Sequence, residues 1–281
     1  MVVEIVPIPE VGLAIPPSEI YLGQWSHSKT WAGMCPWEGD GVKVGVLDTG
    51  CNIMHPALMG NVVDWYNQVD GTKEVQDLVG HGTRVAGMVA GETAVATRAK
   101  LVPIKVSNSS DGSADTRVIA AGIMTALGLG CSVVNISYDV SSSDVVKHAA
   151  QEFADQGGVT VIAAGNSGTS HSHPQDSNMI AVGATNKYDN KPSWTETGIH
   201  VDIYAPGVSV FTTSAAGDYA IVSGTSFSSP FVAGLCAIIK QIRPEYSISE
   251  VFGCLRRWLN RAERVNAARA AYAAWINLPL L

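Results

Sequence analysis

Short apolar runs alternate with segments of helical periodicity along most of the chain, and this alternation limits the possible folds more than any other feature. The runs are rich in β-branched residues, which favour buried strands. The predicted strands cover residues 42–48, 101–106, 132–137, 159–164, 179–184 and 201–205. The predicted helices cover residues 116–129, 143–156, 229–243 and 265–276, and two more begin near His81 and Ser247. This order predicts an α/β fold of three layers, with a mostly parallel central sheet and helices on both faces.

The domain organisation follows from the distribution of proline and of periodicity. The chain has 281 residues, of which 46% are hydrophobic, which suits one large domain or two small ones with a sizeable core. Residues 1–40 contain five prolines and little periodicity. We therefore assign residues 1–40 to an N-terminal extension and residues 41–281 to the folded domain.

Charge and composition argue against several classes of function. The formal net charge is −7 and no basic stripe is present, so nucleic acid is not an expected partner. No apolar run reaches membrane-spanning length, and the start lacks the features of a signal peptide, which predicts a cytoplasmic location. The five cysteines are widely spaced and lack metal-ligand spacing. We expect reduced thiols, no metal and no cofactor; a homo-oligomer is compatible with all of this.

Three polar residues stand beside glycine where predicted elements begin or end. Asp48 ends the first strand, His81 opens a small-residue helix, and Ser226 precedes the helix predicted from residue 229. A serine nucleophile needs a base, a group that orients the base, and donors for the oxyanion. Each residue alone also fits a structural role: a turn cap for Asp48, a packed side chain for His81, a capping loop for Ser226.

The order and motifs of these residues decide between the two interpretations. The separations are 33 and 145 residues, and Asp–His–Ser is a known order for a catalytic triad. Four stretches in this order resemble the subtilisin-like serine protease (subtilase) family: Asp48-Thr-Gly, His81-Gly-Thr, Ala164-Gly-Asn-Ser-Gly168 and Gly224-Thr-Ser-Phe-Ser-Ser-Pro230. The resemblance is collinear over residues 42–270.

The resemblance implies a serine endopeptidase that acts on proteins or peptides through an acyl-enzyme. It implies that Ser226 is the nucleophile, His81 the general base and then acid, and Asp48 the group that orients the imidazole. It further implies that the Asn166 amide donates to the oxyanion together with the backbone N–H of Ser226.

The family binds its substrate as an added extended strand. The matching edges in this chain are Gly112-Ser113 and Ser137-Tyr138-Asp139. The family pattern after this serine is commonly Leu-Gly-Gly, so an acidic Asp139 is a departure. Two interpretations stay open: Asp139 narrows the first specificity pocket or attracts a basic P1 side chain, or it simply faces solvent.

Other departures concern metal, oxidation and regulation. The family's strong calcium site uses an aspartate where this chain has Ala57, so we expect no such site. Asp202 matches a weaker cation position whose loop is shortened here. Phe227 replaces the common methionine, which predicts resistance to mild peroxide. The N-terminus is similar to that of the intracellular branch, and we hypothesise that residues 1–20 regulate access to the cleft.

Two rival functions use the same scaffold. A transpeptidase or macrocyclase would keep the triad and resolve the acyl-enzyme with an amine instead of water. A binding module would need no triad at all, and the complete set Asp48, His81, Asn166 and Ser226 argues against it.

Overall fold

The computed structural model describes residues 25–26, 35–172 and 176–257. The predicted regulatory segment 1–20 and the predicted helix 265–276 lie outside the described residues, as does most of the proposed extension over residues 1–40. The domain boundary near residue 40 stays a prediction.

The described residues form strands and helices in alternation. In chain order the elements are β1 Lys43–Asp48, β2 Tyr66–Asn67, α1 His81–Val89, β3 Lys100–Lys105, α2 Thr116–Gly128, β4 Val133–Ile136, α3 Asp144–Asp155, β5 Val159–Ala163, β6 Ser170–His171, β7 Met179–Thr185, β8 Thr197–Gly198, β9 Ile203–Pro206, β10 Val210–Thr213, β11 Tyr219–Val222, α4 Thr225–Ile242 and α5 Ile248–Arg257. The predicted strands and helices within these ranges are confirmed to within two residues, except at the start of α4.

A seven-stranded sheet forms the centre of the molecule. Its order is β2-β3-β1-β4-β5-β7-β9, and every neighbouring pair is parallel. β10 and β11 form a separate antiparallel hairpin, and β6 pairs with β8. Two-residue strands such as β2, β6 and β8 carry no detectable periodicity, which is why the sequence did not predict them.

Helices cover both faces of the sheet. Val44 and Val46 of β1 pack into a core with α1 and α4, whereas Leu47 packs into a second core with α2 and α3. Successive side chains of a strand point to opposite faces, so a nearly continuous apolar run buries both. The three-layer α/β prediction is confirmed.

Helix α4 is longer than the sequence predicted. It begins at Thr225 and not at residue 229, so Ser226 lies inside its first turn and Pro230 lies in its interior. The sequence suggested the later start because Pro230 is favoured at the first helical position. Every residue from Thr225 to Lys240 is buried, and this packing maintains a helix through a proline that propensity alone disfavours.

Helix α5 begins with the capping box that its sequence predicts. The Ser247 N–H donates to Glu250 Oε2 at 2.8 Å, and the Glu250 N–H lies 3.4 Å from Ser247 Oγ. The reciprocal bonds satisfy two N–H groups that the helix cannot pair internally. No helix in the part of the chain that the structure describes is both long and apolar enough to cross a bilayer.

Candidate active site

The predicted site residues meet at the carboxyl edge of the sheet. Asp48 is the last residue of β1, Ser137 directly follows β4, and Asn166 follows β5. β1, β4 and β5 are consecutive neighbours in a parallel sheet, so their carboxyl ends lie side by side. In open α/β sheets this edge is where functional groups collect.

Asp48 and His81 form a buried pair. Asp48 Oδ1 lies 2.8 Å from His81 Nδ1 and also accepts the Thr49 N–H at 2.8 Å. A carboxylate only accepts hydrogen bonds, so Nδ1 carries the proton and Nε2 is the basic nitrogen. Burial alone would lower the pKa of His81, but the charge and hydrogen bond of Asp48, together with the charge of Asp77, outweigh it and hold that pKa above its usual value. The buried Nε2 has no hydrogen-bond partner among the described residues.

A second buried carboxylate, which the sequence did not single out, anchors the loop before His81. Asp77 accepts the Gly80 and Thr83 N–H groups, each at 2.7 Å, and the hydroxyls of Thr83 and Thr49 at 2.7 and 2.8 Å. These bonds hold the start of α1 against the turn after Asp48. The spacing of four residues before His81 was the only available signal.

A buried cation lies beside the two carboxylates. Lys105 is opposite Asp48 in the β1–β3 register, and its ammonium donates to the carbonyls of Thr49 and Gln76. Burial lowers the pKa of Lys105, while Asp77 and Asp48 oppose that effect. Its positive charge offsets the negative charge that Asp48 and Asp77 place in the core.

Ser226 lies in the first turn of α4, beside the Asp48–His81 pair. The ring of the next residue, Phe227, has its centroid 5.5 Å from that of His81. Ser226 Oγ donates to the carbonyl of Ser137 at 3.2 Å, so the hydroxyl points to the end of β4 in this structure. A serine side chain can change rotamer about its Cα–Cβ bond, and catalytic hydrogen bonds often tighten only when substrate is bound.

The amide of Asn166 is oriented by Thr225. Asn166 Oδ1 accepts the Thr225 N–H at 2.9 Å and the Thr225 hydroxyl at 3.0 Å. With the oxygen committed, the Nδ2 group is the remaining donor. The Ser226 N–H is in the first turn of α4, where N–H groups have no partner within the helix. Two donors for an anion therefore come from neighbouring elements.

The two predicted substrate edges are joined to each other. Tyr138 Oη donates to the carbonyl of Gly112 at 2.9 Å, and Ser113 donates its N–H to Asp111 at 2.9 Å. The Asp139 carboxylate instead accepts the Ser141 N–H at 3.2 Å and its hydroxyl at 2.8 Å. The structure thus brings together four of the five predicted residues, Gly112, Ser113, Ser137 and Tyr138. The Asp139 carboxylate instead bonds within its own turn.

Metal binding finds no support in the described residues. Within them, no group of three or more His, Cys, Asp or Glu side chains is arranged to hold a metal ion. Ala57 is buried at the calcium-site position that the sequence marked as altered. The absence of a strong calcium site stays a prediction that calcium-dependent melting would test.

Comparison with known proteins assigns the chain to a family. Residues 39–272 match the model of the subtilase family. The chain belongs to the subtilase family. This subtilase is 37% identical over 269 residues to M-protease of Shouchella clausii, covering 87% of the chain and 70% of that relative. It is 41% identical over 218 residues to subtilisin Savinase of Lederbergia lenta, covering 74% and 80% of the two chains.

The solved structures agree with this assignment. A cold-adapted subtilisin-like serine proteinase superimposes with a TM-score of 0.74 at 29% identity, over 82% of this chain and 86% of that chain. The predicted family is confirmed, and with it the prediction that this subtilase is a serine endopeptidase acting on proteins or peptides.

Proposed function

We propose that this subtilase hydrolyses peptide bonds with Asp48, His81 and Ser226 as its triad and Asn166 as an oxyanion donor. The supporting observation is the buried Asp48–His81 contact of 2.8 Å, which leaves the basic Nε2 without a partner among the described residues. The imidazole lies next to the first turn of α4, where it contacts Phe227. A base held in the correct tautomer beside a serine is the arrangement that acyl transfer requires.

The mechanism follows from these positions. Ser226 Oγ attacks the scissile carbonyl while His81 Nε2 takes its proton, and Asp48 stabilises the imidazolium. The oxyanion accepts bonds from Asn166 Nδ2 and the Ser226 N–H. His81 then protonates the leaving amine, which releases the first product and leaves the acyl-enzyme. Water, deprotonated by His81, attacks the ester, and Ser226 recovers its proton when the acid product leaves.

The extended substrate would lie between Gly112-Ser113 and Ser137-Tyr138-Asp139. The hydrogen bond from Tyr138 to Gly112 holds these edges in register, which supports their use as one binding surface. Both bonds from Ser141 go to Oδ1 of Asp139. Only the other carboxylate oxygen is therefore left to attract a basic P1 side chain. This preference is tested by comparing cleavage of peptides with Lys and with Phe at P1 by the wild type and by Asp139→Gly. If the two enzymes show the same preference, Asp139 is not part of the specificity pocket.

A fluorophosphonate probe tests the proposal directly. The wild type should be labelled and should cleave an internally quenched peptide, and Ser226→Ala should lose both. Ser228→Ala is a matched control, because its hydroxyl lies in the same helix but donates to the Ala205 carbonyl at 3.2 Å. Labelling that persists in Ser226→Ala would overturn the assignment. The masses of the products distinguish hydrolysis from ligation or cyclisation.

A further inference from the structure

Pro230 removes a hydrogen bond at the position of the proposed nucleophile. In an α-helix the N–H of residue 230 would donate to the carbonyl of residue 226, four positions earlier. Proline has no N–H, so the Ser226 carbonyl lacks its donor within α4. Ser226 is only 4% exposed, so water does not readily replace that donor. A buried carbonyl without a donor is costly.

The hydroxyl of Ser137 supplies the missing donor. Ser137 Oγ donates to the Ser226 carbonyl at 2.9 Å, and Ser226 Oγ donates to the Ser137 carbonyl at 3.2 Å. The two serines are 89 residues apart and exchange hydrogen bonds between the end of β4 and the first turn of α4. The orientation of that turn therefore depends on the sheet as well as on the helix.

Asn135 fixes the direction of the Ser137 hydroxyl. Its Nδ2 donates to Ser137 Oγ at 2.8 Å, so this oxygen accepts from Asn135 and its own proton remains for the Ser226 carbonyl. Asn135 is fully buried and Ser137 is 2% exposed, which keeps competing water away. The result is a directed chain from β4 to the nucleophile: Asn135 to Ser137 to Ser226.

We infer that the Ser137 side chain is a positioning group for the nucleophile, replacing the N–H that Pro230 lacks, with Asn135 holding it in place. This inference rests on the proposed function of Ser226. The Ser137 carbonyl belongs to the substrate edge, but the hydroxyl acts through Ser226 and does not touch substrate. It fixes the Ser226 peptide unit, and with it the attacking oxygen and the oxyanion N–H, against the strand that binds the substrate.

The inference predicts an effect on turnover and a specific rescue. Ser137→Ala should lower kcat roughly 10- to 100-fold, the scale of a small misplacement of reacting groups, with KM little changed. Ser137→Thr keeps the hydroxyl and should retain most of kcat. In a Pro230→Ala background, residue 230 has an N–H that can bond the Ser226 carbonyl within the helix. Ser137→Ala should therefore cost much less kcat in that background than in the presence of Pro230.

The experiment is a double-mutant cycle of Ser137→Ala and Pro230→Ala, with kcat expressed per site labelled by the fluorophosphonate. Counting labelled sites excludes molecules that fail to fold. Equal losses of kcat in both backgrounds would overturn the inference, as would a loss that lies only in KM. Ser228→Ala, which removes a neighbouring hydroxyl from α4, should show no coupling to Pro230→Ala. An unlabelled wild type would instead refute the proposed function, so the two failures are distinguishable.

Discussion

The side chain of Asn166 depends on Thr225 for its orientation. Thr225 occupies the amide oxygen with two hydrogen bonds, which turns the amide nitrogen to the side where an oxyanion would form. Donors that are fixed before the reaction need no rearrangement as charge develops, and this makes them effective in catalysis.

Asn166→Ala should lower kcat roughly 10²–10³-fold with a smaller change in KM, the range known for loss of one such donor in a subtilisin. Steady-state hydrolysis of a peptide substrate measures both constants. Asn190→Ala, at an exposed turn, is the control and should behave as wild type. A kcat for Asn166→Ala close to that of the wild type would show that the amide is not an oxyanion donor.

Phe227 should make the enzyme tolerant of mild peroxide. The ring is buried near His81, and unlike methionine it forms no sulfoxide. The buried Cys51 thiol has a pKa raised by burial, so little thiolate is present to be oxidised. Residual activity after peroxide treatment should stay high in the wild type and fall in Phe227→Met. Rapid inactivation of both the wild type and Cys51→Ser would contradict this.

At the residue scale the sequence predicted the groups that carry motifs and missed those that act through tertiary contacts. Asp48, His81, Asn166 and Ser226 each stand within two residues of a glycine in a recognisable stretch. Lys105 and Thr225 support them through hydrogen bonds between residues far apart in sequence. Asp77 joins its own loop to Thr49, and Asn135 acts through Ser137, which bonds Ser226 across 89 residues. Nothing in the local pattern distinguishes such residues from ordinary polar side chains at the ends of elements.

At the scale of elements, the start of α1 has no spare room beside the turn after Asp48. A Cβ atom added at Gly82 would lie 2.1 Å from the carbonyl oxygen of Gly50 and 3.1 Å from Asp48 Cβ. The Gly50 carbonyl is backbone, and the buried Asp48 side chain is held by its hydrogen bonds to Thr49 and His81, so neither can move aside easily. The absence of a side chain at Gly82 thus lets His81 approach Asp48.

Gly82→Ala should therefore lower both Tm and kcat, because α1 must move away from β1 and carry His81 with it. Gly128→Ala is the matched control: it lies at the end of α2, where an added Cβ atom would meet nothing within 4 Å, and alanine should stabilise it by about 0.5–1 kcal/mol. Thermal unfolding and peptide hydrolysis give the two readouts. A Gly82→Ala enzyme as active as Gly128→Ala would refute the packing argument.

The element scale also shows where sequence reasoning reached its limit. The pattern of apolar residues predicted the long strands and most helices, because strands and helices bury side chains at different intervals along the sequence. The first turn of α4 could not be located in this way, because a proline normally marks a helix start. Only the packing of the whole helix against the sheet, together with the Ser137 hydroxyl, explains a proline inside it.

At the scale of the whole molecule, the half-buried Asp202 and the buried Glu196 should give the free energy of unfolding opposite dependences on pH. Burial raises the pKa of Asp202 to about 7, although its carboxylate accepts the Ala181 N–H. Between an unfolded pKa of about 4 and this value, the unfolded chain is ionised while the folded one stays protonated. The unfolded state then binds fewer protons, so the free energy of unfolding falls as pH rises through that window.

Asp202→Asn removes this loss. The Tm of Asp202→Asn minus the Tm of its parent should increase as pH rises from acidic to neutral. Thermal unfolding in a Ser226→Ala background measures it without autolysis. A difference in Tm that does not change with pH would contradict the proposed burial effect.

Glu196→Gln should show the opposite trend. Burial would raise the pKa of Glu196, but His200, whose Nε2 lies 3.4 Å from Oε2, the hydrogen bond from Ser167 and the nearby His171 together outweigh it and hold that pKa below its usual value. Its contribution to stability is present above the unfolded pKa and is lost as pH falls through the folded one. The variant should therefore be most destabilised at neutral pH and approach its parent in acid. If Glu196→Gln lowers Tm by the same amount at every pH, the charge of Glu196 does not contribute to stability.

Among the helices that the structure describes, the one that carries Ser226 has the longest uninterrupted buried run, from Thr225 to Lys240. Local opening starts where few buried contacts hold the chain, so surface loops should open before this helix does. A copy whose loops have become digestible therefore still carries its nucleophile in place, and autolysis on heating should accelerate with enzyme concentration.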